Sequence, residues 1–315
     1  MRKINNITLL LMFTVIAACS KNDIEPNIIF KNAAVYTVNK NQPWASSVVI
    51  QNEKIIFVGN DENALEFENK NSQIIDLNKK MILPGFHDIH VHPVHGGVTF
   101  LQCNLTDIRG IDNLLSKIKS CADEKGPNEW VLGGGWAVDN FSAMKLPDKT
   151  MLDEIVPNKP ISLKSSDGHS LWANSIALEI SNINENTIDP KNGTIERYPN
   201  SREPSGLLHE DSAMMLVMDN HPELTNKELI DGLKYSRDEF HRLGITGVQD
   251  ALLKLEPGDP YFGLDAYNYL DDRNELNLHV VTAMFWNNGQ PLKPQLERFK
   301  RVRKKQENSR NVKAT

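Results

Sequence analysis

Cysteine is scarce in this chain: 315 residues contain three, Cys19, Cys103 and Cys121. So few exclude a miniature fold stapled by disulfides. Positive charge is not in excess either. Against 41 Asp and Glu stand 35 Lys and Arg, a formal net charge of -6, so no electrostatic footprint for a phosphate backbone exists and nucleic acid is not an expected partner. The local basic run Lys300, Arg301, Arg303, Lys304 and Lys305 reads as the solvated face of a late helix. No apolar run reaches the roughly 20 residues that span a bilayer as a helix, and there is no internal repeat or low-complexity tract. What remains is 40% hydrophobic and 24% charged, the composition of an ordinary globular protein long enough to bury a sizeable core.

The first residues form a distinct segment. Arg2 and Lys3 precede the apolar run from Ile7 to Ala18, interrupted only by Thr8 and Thr14, and Cys19 follows. That is the layout of a secretory signal, too short to cross a membrane as a helix. Ile16-Ala17-Ala18-Cys19 resembles a bacterial lipobox, which implies residues 1–19 as signal peptide, lipidation of Cys19 and a mature chain that starts there. Plain cleavage beside an ordinary cysteine is the alternative. Ser20 after Cys19 is compatible with outer-membrane sorting, and acyl chains would hold an otherwise soluble protein to the bacterial cell envelope, periplasmic or outer-membrane associated. Cys103 and Cys121 then remain. In an oxidising periplasm they could pair, but two cysteines do not make a framework, and the expectation is two free thiols.

After a polar tether, short apolar runs at Ile28–Val38, Ser47–Gln51, Lys54–Val58 and Gln73–Leu77 read as a meander of strands. Further on, helix-like stretches (Ile111–Ala122, Leu171–Ile180, Asn226–Leu243, Leu292–Gln306) alternate with strand-like ones (Trp130–Gly134, Ile161–Ser165, Ile245–Asp250, Leu278–Phe285, and Val312 onward). Such alternation predicts an α/β architecture with parallel strands, and residues 182–204 read as loop and hairpin. Between the meander and this region lies Met81-Ile82-Leu83-Pro84-Gly85-Phe86-His87-Asp88-Ile89-His90-Val91-His92-Pro93. If the segment is a strand, alternation sends His90 and His92 to one face with Asp88 beside them, and His87 to the other. Two neutral imidazoles at that separation suit zinc or a similar ion. A lone His-x-His is nevertheless a weak signal.

The flanks make it specific. Leu83-Pro84-Gly85-Phe86 running into Asp88-Ile89-His90-Val91-His92 resembles the metal-dependent amidohydrolase superfamily. Gly133-Gly134-Gly135-Trp136, Asp167-Gly168-His169-Ser170-Leu171-Trp172-Ala173-Asn174-Ser175, Ser205-Gly206-Leu207-Leu208-His209-Glu210 and Gly244-Ile245-Thr246-Gly247-Val248-Gln249-Asp250 follow in the order seen in its large-insertion branch, which includes N-substituted formamide deformylases. The resemblance covers nearly all of the chain after Cys19.

What the resemblance implies is as follows. The fold is a partial TIM-like (β/α) barrel over residues 83–315 with a large insertion at about 94–240 after the first strand, and residues 20–82 form part of a small β-sandwich. His90 and His92 hold a divalent metal, zinc by choice, with one or two ions in the complete enzyme. Lys313, on the fourth strand, would bridge two ions as a carbamate, a surface lysine being the alternative. Asp167 and His169 would contact substrate, or else form a local cap ahead of a helix near Leu171; Glu210 would be an acidic ligand or a substrate contact, a salt-bridged or solvated glutamate being the alternative. Trp136 would wall the pocket or belong to the core. The remaining metal-binding histidines and a general-base aspartate are expected beyond Thr315, so these residues alone are expected to fold poorly or need a partner fragment, and to be inactive. The implied activity is hydrolysis of a non-peptide C–N bond in a small molecule. An esterase or phosphoesterase on the same scaffold, or a non-catalytic ligand-binding lipoprotein, is the alternative.

Overall fold

In the computed structural model, residues 27–141, 146–253, 255 and 263–315 are described. The expected signal peptide and Cys19 lie outside them. The chain divides into two compact units, residues 1–84 and 85–315.

The first unit holds β1 (Asn27–Lys31), β2 (Ala34–Tyr36), β3 (Trp44–Ala45), β4 (Ser47–Gln51), β5 (Lys54–Gly59), α1 (Asp61–Leu65), β6 (Gln73–Asp76) and β7 (Met81–Ile82). These form a sheet in the order β5-β4-β1-β6 and a smaller one in the order β3-β2-β7. Between β4 and β5 the chain reverses through Asn52 and Glu53, both at positive φ (49° and 62°), as a two-residue hairpin turn requires. Ile29, Val49 and Ala64 are buried together, and Ala33, Val35 and Val48 form a second cluster.

The second unit begins with β8 (Phe86–Val91) and α2 (Pro93–Leu101). It continues through β9 (Cys103–Asn104), α3 (Ile111–Asp123), β10 (Val131–Trp136), α4 (Lys149–Ile155), β11 (Ile161–Ser165), β12 (Ser170–Ala173) and α5 (Ser175–Ile180). Then come β13 (Thr194–Arg197), β14 (Pro204–His209), α6 (Asp211–Met218), α7 (Asn226–Arg242), β15 (Ile245–Leu253), α8 (Leu264–Asp272), β16 (His279–Met284), α9 (Leu292–Gln306) and β17 (Val312–Ala314). Two sheets result. One is mixed, β13-β14-β12-β11-β10-β9; the other, β17-β16-β15-β8, is wholly parallel and follows chain order from β8 outward. Neighbours β8 and β15 are separated in sequence by the whole mixed sheet and its helices.

Both faces of the mixed sheet are buried, as alternation along its strands records. Leu163 and Trp172 pack with Leu114, Ile118 and Leu152 of α3 and α4. Leu171, Ala173 and Leu208 pack with Leu178, Met214 and Val217 of α5 and α6. In the parallel sheet, Val248, Val280 and Val312 stand in one row and pack with α2, α7 and α8 through Val94, Val98, Leu229, Leu233, Leu264 and Tyr267. Where α2 meets α7 the two backbones nearly touch: a Cβ on Gly97 would lie 1.8 Å from the Gly232 carbonyl oxygen. Beside it the Ser236 hydroxyl donates to the Pro93 carbonyl at 2.7 Å.

Two expectations are corrected. Cys103 and Cys121 are not free thiols but a disulfide, with Cα atoms 5.7 Å apart. Both lie in the core cluster that α3 forms with β9 and β10, so packing brings them into bonding range although the sequence offers no framework. The helix expected over Leu171–Ile180 is also divided. Leu171, Trp172 and Ala173 pair antiparallel with β11, and only from Ser175 is the chain helical. Asn174 marks the change. Its side-chain oxygen accepts from the Ala177 amide at 3.1 Å as a helix N-cap and from the Ile161 amide at 2.9 Å, while its amide donates to the Lys159 carbonyl at 2.8 Å.

Candidate metal centre and polar cluster

His90 lies in β8, and His92 is the residue between β8 and α2, with φ -127° and ψ 74°. Their ring centroids are 5.6 Å apart with planes at 78°. The rings therefore meet, but not by plain alternation. Asp88 pairs with Val248 and so shares the row of Val280 and Val312, which packs with the helices. A register shift then intervenes before Val91 pairs with Asp250. At this irregularity the Asp88 carboxylate accepts from the His90 amide at 3.0 Å, a local turn in which side chain replaces ladder partner. His87 stands in the row of Gly247 and His279, its ring 6.1 Å from that of His279. Gly247 makes room for it: a Cβ there would fall 2.3 Å from His87 Nδ1.

Behind His92 lies a residue that sequence reasoning passed over. Asp250 Oδ1 is 3.8 Å from His92 Nδ1; the carboxylate is 6% exposed and the imidazole 42%. The other carboxylate oxygen accepts from the Tyr267 hydroxyl at 2.8 Å, and the Leu252 amide approaches Oδ1 at 3.3 Å. Burial, and then the adjoining Asp250 carboxylate, push the Tyr267 phenol well above its ordinary pKa, so it stays a donor. At 3.8 Å the carboxylate is beyond hydrogen-bond reach of Nδ1, but its place on that side of the ring leaves Nε2 for a ligand. The signal available for Asp250 was its position late in an apolar strand beside the one bearing the histidines; Tyr267 offered none.

The donor set suits a borderline divalent cation in part. Two imidazoles stand together, one of them with a carboxylate behind it. Among the described residues, no group of three or more His, Cys, Asp and Glu side chains is arranged to hold an ion. Lys313 pairs with Val281, and its ammonium donates to the carbonyls of Glu307 (3.1 Å) and Ser309 (2.7 Å). As an ammonium it can only donate.

Asp167, His169 and Glu210 meet at one end of the mixed sheet. Asp167 lies in the tight connection from β11 to β12, where its carboxylate accepts from the Ser165 hydroxyl (2.6 Å) and the His169 amide (3.0 Å). Those two bonds, the hydroxyl's first, hold its pKa below the usual carboxylate range. The motif caps a hairpin turn and not a helix near Leu171, since a strand follows. His169 Nδ1 is 3.2 Å from Glu210 Oε2, with both side chains exposed, and Glu210 takes φ 65° at the junction of β14 and α6. Next to them, His209 Nε2 donates to Glu196 Oε2 at 2.9 Å and Nδ1 lies 3.0 Å from Ser170 Oγ, a network with no signal in the sequence. Trp136 is elsewhere. It is 3% exposed, packs edge-on against Phe141 and Trp172, and donates its indole N–H to the Leu163 carbonyl at 2.8 Å, all of which is core.

Residues 73–313 match the amidohydrolase family. The chain is 34% identical over 227 residues to Protein LONG AFTER FAR-RED 3 of Arabidopsis thaliana, covering 72% of this chain and 38% of that protein. It is 26% identical over 245 residues to the N-substituted formamide deformylase of Arthrobacter pascens, covering 76% and 45%. It spans about half the length of the curated relatives it matches, or less. In fold it is similar to an uncharacterized metal-dependent hydrolase from Pyrococcus horikoshii OT3, at a TM-score of 0.61 and 20% identity over 91% of this chain and 53% of that one. With the histidine pair on a parallel sheet and a match over residues 73–313, the chain belongs to the amidohydrolase family.

Proposed function

We propose that this chain carries the metal-binding end of a hydrolase that cleaves non-peptide C–N bonds in small molecules. The observation that carries the reading is the meeting of His90 and His92 at the C-terminal end of β8, with buried Asp250 behind one of them. In this reading β8, β15, β16 and β17 are the first strands of a TIM-like barrel, whose active sites lie at the C-terminal strand ends. The mixed sheet belongs to an insertion after the first strand, and the first unit is part of a small β-sandwich.

His90 and His92 would hold the ion, zinc being the choice that the nitrogen donors favour. A divalent cation there supplies Lewis acidity toward the scissile group. Asp250 lies on the Nδ1 side of the His92 ring, and Tyr267 holds Asp250 in place. A second ion would need an anionic bridge. Lys313 provides one only as a carbamate, which would first have to give up its present carbonyl partners. Asp167, His169 and Glu210 are exposed polar groups available to a substrate.

The fitting test uses the full-length protein. Loaded with zinc, it is expected to release amine from N-substituted formamides or other small amides, to stop when chelated and to resume when zinc is restored. Turnover of carboxylic or phosphate esters without amides would overturn the C–N assignment. Turnover indifferent to chelation and to the H90A/H92A double substitution would overturn the metal-dependent one.

The same proposal places the protein at the bacterial cell envelope, lipid-anchored through Cys19. The Cys103–Cys121 disulfide supports export, because such bonds persist mainly in oxidising compartments. Labelled palmitate should enter the wild-type protein and not C19A; equal labelling would remove the anchor.

A further inference from the structure

One cavity in the second unit, partly open to solvent, is not used by the hydrolase reading. A cavity of about 280 Å³ lies between α2, strands β10 to β12, and the chain from α6 to the start of α7. Four residues of α2, His95, Val98, Thr99 and Gln102, line it at the i, i+3, i+4, i+7 spacing of one helix face. Its body is apolar, made by Leu171, Met215, Met218 and Leu224 among others. Thioether side chains are adaptable walls that refill around whatever enters.

Polar groups line part of the cavity, and two of them are buried without partners. Ser162, in β11, is 2% exposed, and its hydroxyl has no hydrogen-bond partner. His221 Nε2 is likewise buried without a partner. Orphaned buried donors and acceptors are costly, so two lining one cavity indicate that something else satisfies them. Burial pushes the His221 imidazole down to about 4, so at neutral pH it contributes no charge. Lys164 is the lysine of the lining. Burial lowers the pKa of its ammonium against the pull of the Asp211 and Asp167 carboxylates, so the group is poorly solvated where it stands. The two acidic lining residues, Asp219 and Glu223, are exposed, so solvent screens them from the buried end at Ser162.

We propose that this cavity is a binding site for a small monocarboxylate with an apolar body, its carboxylate toward Lys164 and Ser162 and its body among Leu171, Met215 and Met218. The volume fits. A dry cavity of about 150 Å³ accepts benzene, so this one has room for a ring and a short chain. The site stands apart from the hydrolase reading because occupancy requires no metal.

The test is calorimetric titration of the full chain, with metal chelated, using phenylbutyrate as the probe and phenylbutanol as its neutral counterpart. Phenylbutyrate should saturate a single site and bind about tenfold tighter than the alcohol, the value of one charge-assisted contact. K164M should erase that difference while K164R keeps most of it, and S162A should weaken the acid several-fold. In parallel, the methyl resonances of Met215 and Met218 in the wild-type protein should shift on adding the acid, a readout that needs no variant to fold. Absence of saturable binding with unmoved methionine methyls, or an acid preference unchanged in K164M, would overturn the proposal.

Discussion

Asp250 has a carboxylate that burial alone would penalise, and its surroundings offset that penalty one oxygen at a time. Tyr267 donates to Oδ2 and the Leu252 amide to Oδ1, with the His92 imidazole 3.8 Å from the same oxygen. Removing the phenol leaves a buried acceptor short of a donor, which costs about 1–3 kcal/mol. Y267F should therefore unfold at lower urea concentration. If the Asp250–His92 contact orients a ligand, the same variant should also bind zinc about tenfold or more weakly by competitive titration. A variant unchanged in both would show that the phenol supports neither. His221 has a cruder role that titration can expose. Its folded-state pKa, about 4, lies below the ordinary 6.5, so the unfolded chain binds the proton more readily. Between those values stability rises with pH, and acidification from 6.5 through 4 should remove roughly 3 kcal/mol. Urea melts across that window should show the loss in the wild type and a flatter arm in H221L; equal slopes would refute the assignment.

At the scale of elements, the contact of α2 with α7 is the most exacting joint. A methyl at Gly97 would sit 1.8 Å from the Gly232 carbonyl oxygen, and backbone cannot move aside as a flexible side chain would. G97A should destabilise the protein by about 1–3 kcal/mol, as overpacking does, whereas Ala at Gly96, where a Cβ meets nothing within 4 Å, should be tolerated. Paired urea melts decide it, and equal midpoints would contradict the packing. The disulfide is the second joint. Joining residues 18 apart should contribute about 3 kcal/mol, measurable as a drop in the urea midpoint on reduction.

These joints also show what the sequence could convey. Helices α3, α7 and α9 were legible because their apolar residues recur at helical spacing. Helix α2 was not. It contains Gly96 and Gly97, both poor helix formers, and packs against α7 at Gly97, Val94 and Val98. Strand β12 was hidden for a related reason: Leu171, Trp172 and Ala173 suit either state, and pairing with β11 and β14 decided it.

For the molecule as a whole, the strands of the parallel sheet could be read as apolar runs with turn residues between them, and the histidine spacing on the first of them pointed to the site. Their order, and the mixed sheet standing between β8 and β15 in the chain, depend on long-range pairing. The partners of His92 depend on register: a shift between Asp88 and Val91 undoes the alternation from which Asp88 was expected beside the pair and brings Asp250 there instead. Cross-strand register cannot be computed from one strand's sequence.

The central claim is that His90 and His92 jointly hold a divalent cation. Its most direct test is zinc binding measured by competition with a chromophoric chelator, with X-ray absorption on the loaded protein, for wild type and for the H90A/H92A double variant. The account predicts tight binding with imidazole nitrogens in the first coordination sphere for the wild type, and loss of binding with an unchanged circular dichroism spectrum for the variant. Undiminished zinc affinity in a folded H90A/H92A protein would contradict it.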